Sequence, residues 1–186
     1  MRVLLAIALL AVLGRPARAD IVAGLLIDAT HLGGIQAGGA DFYVESAIPV
    51  ARRLQLFGQV GVGYLAVGVI DAAQSGAQGR LAAGVRWRPI TWGDPDDGGV
   101  DLYVEAAAGA NGYWWGGHTL ARPDADLGWG FQVRAKGKHR TVMLRSGIEV
   151  LVSTDTAEPT FACRGCKMGT PQAIDGGMLA VFGMAL

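Results

Sequence analysis

The sequence predicts an all-β protein, an eight-stranded antiparallel up-and-down transmembrane β-barrel, on three observations. Side chains alternate strictly along most of the chain. Along 80–88, Arg80, Ala82, Gly84, Arg86 and Arg88 lie one way and Leu81, Ala83, Val85 and Trp87 the other. A period of two is that of an extended strand. Second, the chain is 51% hydrophobic, yet residues 20–186 hold no apolar run long enough for a spanning helix. Third, the chain holds 29 glycines, and those within the alternating segments concentrate on the polar face, where eight inward rows must share a narrow bore.

The first residues read as a leader. Arg2 gives a positive start, Val3 to Leu13 is an unbroken apolar run, and Ala17-Arg18-Ala19 offers small residues for cleavage after Ala19. Residues 1–19 are therefore expected to be a signal peptide and 20–186 one barrel domain. Without Arg2, Arg15 and Arg18 the chain keeps 13 basic residues against 16 acidic ones. No basic excess remains, which speaks against a nucleic-acid partner.

Eight alternating segments follow in order: 20–29, 40–50, 53–69, 79–88, 100–114, 127–136, 139–153 and 177–186. The first and last are the weakest, because Leu26, Leu179 and Val181 interrupt the polar face. The second and fifth contain near copies, Asp41-Phe42-Tyr43-Val44-Glu45-Ser46-Ala47 and Asp101-Leu102-Tyr103-Val104-Glu105-Ala106-Ala107, which shared strand constraints would produce, with an internal duplication as the alternative. In the third, Leu56, Val60, Val62 and Tyr64 oppose Gln55, Phe57, Gln59, Gly61 and Gly63. In the fifth, Leu102, Val104, Ala106 and Trp114 oppose Asp101, Tyr103, Glu105 and Asn111. The sixth sets Leu127, Trp129, Phe131 and Val133 against Gly128, Gly130, Gln132 and Arg134; the seventh sets Leu144, Ile148 and Val150 against Arg145, Gly147 and Glu149. Short links are expected at 51–52 and 137–138 and an intermediate one at 89–99, around Pro89 and Pro95. Longer outer loops are expected at 30–39, 70–78, 115–126 and 154–176. Short turns at one end and long loops at the other are the rhythm of a membrane barrel.

The pattern admits an inverse, a soluble periplasmic barrel enclosing its apolar rows around an apolar ligand. Aromatics near segment ends favour the membrane orientation: Phe42, Tyr64, Trp114 and Trp129 toward the loops, Trp87 and Phe182 toward the turns. So does the balance of the polar face. Asp28, Asp41, Glu45, Asp101, Glu105 and Glu149 stand against Arg80, Arg86, Arg88, Arg134, Lys136 and Arg145, an expected ionic network of the lumen. Strand order places Glu105 between Arg86 on one side and Lys136 or Arg134 on the other. Such a network fills the bore, so no open pore is expected.

These features together resemble the small eight-stranded outer-membrane barrels of Gram-negative bacteria, the OmpA/OmpX-like and opacity-type group. Glycine-rich strands such as Phe57-Gly58-Gln59-Val60-Gly61-Val62-Gly63-Tyr64 carry the resemblance, as does the alternating end Met178-Leu179-Ala180-Val181-Phe182-Gly183-Met184-Ala185-Leu186. Members commonly end in an aromatic residue; this chain ends in Leu186. The resemblance implies export to the outer membrane, contact with its lipid, and passage through the barrel-insertion machinery. It also implies an anchoring or surface-interaction role carried by the four outer loops, and, in a minority of members, lipid modification.

Catalytic chemistry of the lipid A deacylase or acyltransferase type needs a His beside a Ser and an orienting acid. His31, His118 and His139 have no serine two residues away. Ser75 and Ser153 are the remaining serine candidates, with Asp28 or Asp124 as possible orienting acids. No catalytic, cofactor or metal site is expected. Cys163 and Cys166, spaced Cys-Arg-Gly-Cys in the longest loop, read as a disulfide in an exported protein. Free thiols and a metal or redox site are the alternatives. Gly58, Gly61, Gly63 and Gly68 lie inside a strand pattern, which is not the setting of a phosphate-binding loop.

Overall fold

The computed structural model describes residues 20–32, 35–68, 73–94, 98–136, 141–153 and 175–185. Eight antiparallel strands follow one another: β1 (Asp20–Leu32), β2 (Ile35–Ala51), β3 (Leu54–Val67), β4 (Gln74–Asp94), β5 (Gly98–Trp115), β6 (His118–Lys136), β7 (Thr141–Ser153) and β8 (Asp175–Ala185). Each pairs with its neighbours in sequence, and β8 returns to β1 to close the barrel. Closure leaves no sheet edge running the length of the wall, which a lipid-facing sheet requires. The expected leader, 1–19, lies outside the described residues, as do Cys163 and Cys166.

The strands are longer than their alternation alone suggests, and the outer loops correspondingly shorter. Most of 30–39, 74–78 within 70–78, and 118–126 within 115–126 are strand. The β1–β2 ladder continues to Leu32↔Ile35 and the β5–β6 ladder to Trp115↔His118. Gly116 and Gly117 turn the latter hairpin with φ of 50° and 83°. Positive φ at both central residues is the tight hairpin geometry that glycine adopts without steric cost. Residues 154–174, within the expected longest outer loop, lie outside the described residues.

The intermediate link at 89–99 is also mostly strand, because β4 runs through Pro89 to Asp94. The register steps from Trp87↔Val104 to Ile90↔Leu102, so Arg88 and Pro89 together oppose Tyr103. A bulge tolerates a residue without an N–H donor. Beside it, the Arg88 amide donates to the Arg53 carbonyl at 2.8 Å and the Arg53 guanidinium to the Pro89 carbonyl at 3.1 Å.

The two faces separate cleanly. Every Asp, Glu, Lys or Arg of the strands whose side chain is described lies on the lumen face. Leu25, Val60, Val62, Leu81, Trp87, Val104, Trp114, Leu127, Phe131 and Leu144 are exposed on the outside. Leu26 points inward as read from sequence, and packs with Val22 and Tyr43. The aromatic girdle is less regular than expected. Tyr64 and Trp114 stand near the outer ends of β3 and β5, but Trp129 lies in mid-β6, because β6 starts nine residues before the segment inferred from alternation.

Candidate functional site: the lumen

The lumen is built in layers. Nearest the turn end, Asp101 of β5 accepts hydrogen bonds from Arg134 of β6 at 2.8 and 3.1 Å, and from Thr91 of β4 at 2.8 Å. Arg88 approaches the same carboxylate at 3.6 Å and the Gln132 amide donates to it at 3.5 Å. One carboxylate thus lies between two guanidinium groups.

The next layer inverts that arrangement. Arg86, with no exposed surface, donates to Glu45 at 2.7 and 2.9 Å and to Glu105 at 2.7 Å. Its guanidinium carbon lies 4.6 Å from the ring centre of Phe57 and 5.4 Å from that of Tyr103. Glu45–Arg86–Glu105 carries a formal excess of one negative charge and Arg88–Asp101–Arg134 one positive. Stacked, the two triads cancel, which limits the cost of holding six charges away from bulk water. Tyr103 fits here because its cross-strand partners are glycines: Tyr103↔Gly130 and Gly130↔Gly147 form one row.

Further toward the outer end, Arg80 pairs with Asp126, Asn111 donates to Asp124 at 3.0 Å, and Arg122 donates to Thr30 at 2.8 Å while lying over the Tyr113 ring. Asp28 and Asp41 face the same layer. Above it, Leu32, Ala37, Leu65, Val67, Tyr113 and Trp115 pack together inside the barrel, with Leu120 against them. Among the described residues this end of the lumen is lined by apolar side chains.

The structure brings together Glu45, Arg86, Glu105, Asp101, Arg88 and Arg134 from the sequence-derived set. It places Arg80, Asp28 and Asp41 a layer above them. The side chains of Lys136, Arg145 and Glu149 lie outside the described residues. Glu105 meets Arg86 as its register requires, but Arg134 reaches Asp101 instead. Glu105 lies opposite Gly128 on β6, whereas Arg134 is six residues further along that strand, opposite Gly99. Arg122, Asp124 and Asp126 were missed as lumen residues. Their alternation with Ala121, Pro123 and Ala125 was the available signal, obscured by Pro123, which sits in β6 facing outward.

Among the described residues, those considered for acyl transfer do not converge. His118 stands at the outer end of β6, with its ring 5.8 Å from that of Trp115. The Ser75 hydroxyl is on the outside of β4, 3.1 Å from the Tyr64 hydroxyl. Asp124 is six residues along β6 from His118, roughly 20 Å at strand rise. The His31 and Ser153 side chains and His139 lie outside the described residues. Among the described residues no three His, Cys, Asp or Glu side chains gather as metal ligands.

No protein-family model and no curated protein matches the chain. Solved structures do. Neisserial surface protein A is 12% identical, with 90% of this chain and 96% of that one covered and a TM-score of 0.57. Ail, the attachment invasion locus protein of Yersinia pestis, is 10% identical over 90% and 96%, with a TM-score of 0.47. OprG, an outer membrane protein of Pseudomonas aeruginosa, is 7% identical over 91% and 94%, with a TM-score of 0.41. The likeness to the neisserial protein shows a shared fold, that of a small outer-membrane β-barrel.

Proposed function

We propose that the chain is an exported outer-membrane barrel with a filled, non-conducting lumen and a structural or surface-interaction role at its outer rim. The observation that carries this reading is the sorting of charge: every described charged strand side chain is inside and an apolar wall is outside. Such a wall is soluble in lipid and not in water. The two charge-complementary triads and the apolar layer above them act as the plug. With three outer connections short, the segment 154–174 is the main surface available to a partner, and Cys163 and Cys166 within it close a small disulfide loop.

Expression in a Gram-negative host tests this. The protein should sediment with the outer membrane, and the unboiled form should migrate faster than the boiled form on a denaturing gel. In planar bilayers it should give no sustained conductance, and protease added to intact cells should cut within 154–174. Recovery as a soluble periplasmic protein overturns the membrane assignment, and a stable open channel overturns the plug. Thiol labelling only after reduction supports the disulfide; labelling without reductant removes it.

A further inference from the structure

From the outer lumen layer we infer that the barrel holds one divalent cation, Ca2+ by its donor chemistry, between Asp28 of β1 and Asp41 of β2, with the Gln78 amide of β4 as third ligand. The placement is a consequence of two glycines. Asp41 is paired with Gly63 and Gly63 with Gln78, while Asp28 is paired with Gly39. With no Cβ at Gly39 or Gly63, the Asp41 carboxylate lies over Gly63. The Gln78 amide extends over Gly39, where its nitrogen is 2.6 Å from the point a Cβ would occupy. Three polar side chains from three strands therefore meet over a bare stretch of wall, and the Gln78 amide faces both carboxylates.

The group is short of positive charge. Among the described residues neither Asp28 nor Asp41 joins an ion pair, and the Oδ1 atom of each completes no hydrogen bond. Asp41 is 4% exposed. Gln78 is 3% exposed, and neither atom of its amide completes a hydrogen bond of normal geometry. Even with one N–H turned to each carboxylate, an amide contributes no charge, so the buried Asp41 and the half-buried Asp28 are offset only at longer range by Arg80, whose direct partner is Asp126. The rest of the layer does not complete the balance. Asp124 and Asp126 face the same layer, so four carboxylates share it with the two described guanidinium groups, Arg80 and Arg122. Two carboxylates and an amide oxygen are hard ligands of the kind Ca2+ takes, with water completing its six to eight oxygens. Rotating the Gln78 amide by half a turn presents its oxygen to the ion.

Asp28 keeps partial exposure while Asp41 is buried, and the β1–β8 ladder ends at Ala29↔Met178, one residue above Asp28. The inference does not depend on what the outer rim binds.

The test uses the full mature barrel refolded in a non-ionic detergent, which removes the phosphate groups of lipid as competing calcium ligands. After EDTA treatment and buffer exchange, calcium binding is measured by titration calorimetry with CaCl2. A saturable site near one ion per barrel is expected. Asp28→Asn and Asp41→Asn should each weaken it on the order of tenfold or more, with Gln78→Leu a smaller loss. Asp20→Asn, a lumen carboxylate at the turn end, should bind as the parent does. The parent's thermal midpoint should rise with calcium, and that rise should vanish in Asp28→Asn; this readout stands even where Asp41→Asn fails to fold. No binding by the parent, binding unchanged in both aspartate variants, or an equal response to NaCl overturns the assignment.

Discussion

Arg86 and Glu45 are separated by a whole strand, on β4 and β2, yet the guanidinium and carboxylate form two hydrogen bonds of 2.7 and 2.9 Å across β3. Gln55 is the residue of β3 paired with Arg86, and Gln59 the one paired with Glu45. In a flat sheet this pair would be out of reach. Curvature turns next-but-one strands toward each other inside a narrow barrel, and long side chains bridge them.

Replacing Arg86 with Met removes the guanidinium that Glu45 and Glu105 share. Removing one partner of such a buried set costs about 3–5 kcal/mol. The variant should show a clearly lower thermal midpoint for loss of the fast-migrating form on gels. Arg52→Ala, at the exposed β2–β3 turn, should change the same stability by no more than about 0.5 kcal/mol.

The Arg86 site also marks what the sequence makes legible. Alternation assigns each residue to a face, so Glu45, Arg86, Asp101 and Glu105 were readable as lumen groups, and adjacent-strand register was enough to pair Glu105 with Arg86. It does not carry the barrel's curvature, so the Glu45–Arg86 contact was invisible. Strand ends were the second blind spot. Pro89 and Pro123 look like breaks, but one sits in a bulge and the other faces outward within β6, and both strands continue past them. Asp124 and Asp126 were hidden for that reason. The apolar cap was missed because Leu32 fell in an expected loop, while Leu65 and Val67, inside the segment 53–69 and in phase with its polar face, are apolar and gave no sign of a lumen cluster.

Gly147 should be intolerant of even a methyl group. A Cβ there would collide with the Tyr103 hydroxyl and stand 2.6 Å from the Trp129 carbonyl oxygen. Gly147→Ala is expected to destabilise the barrel, and Tyr103→Phe to recover only part of the loss, since the carbonyl clash remains. A double-mutant cycle on unfolding free energy should give a coupling of about 0.5–3 kcal/mol. Strict additivity would mean that the ring and the glycine do not share the space described.

Val62 and Leu81 test the orientation from outside. They are 64% and 65% exposed and sit on adjacent strands with uncharged outward neighbours, Val60 and Ala83 among them. In water these positions would accept a charge at little cost. In a membrane, Arg near the bilayer midplane costs about 2–4 kcal/mol, falling to about 0–1 near the interfaces. Val62→Arg and Leu81→Arg should therefore lower folding stability in phospholipid vesicles by that larger amount. Ser75→Arg, near the outer end of the same wall, should fall at the small end of the range. Equal, negligible effects at all three positions would mean that the exposed leucines and valines do not face hydrocarbon.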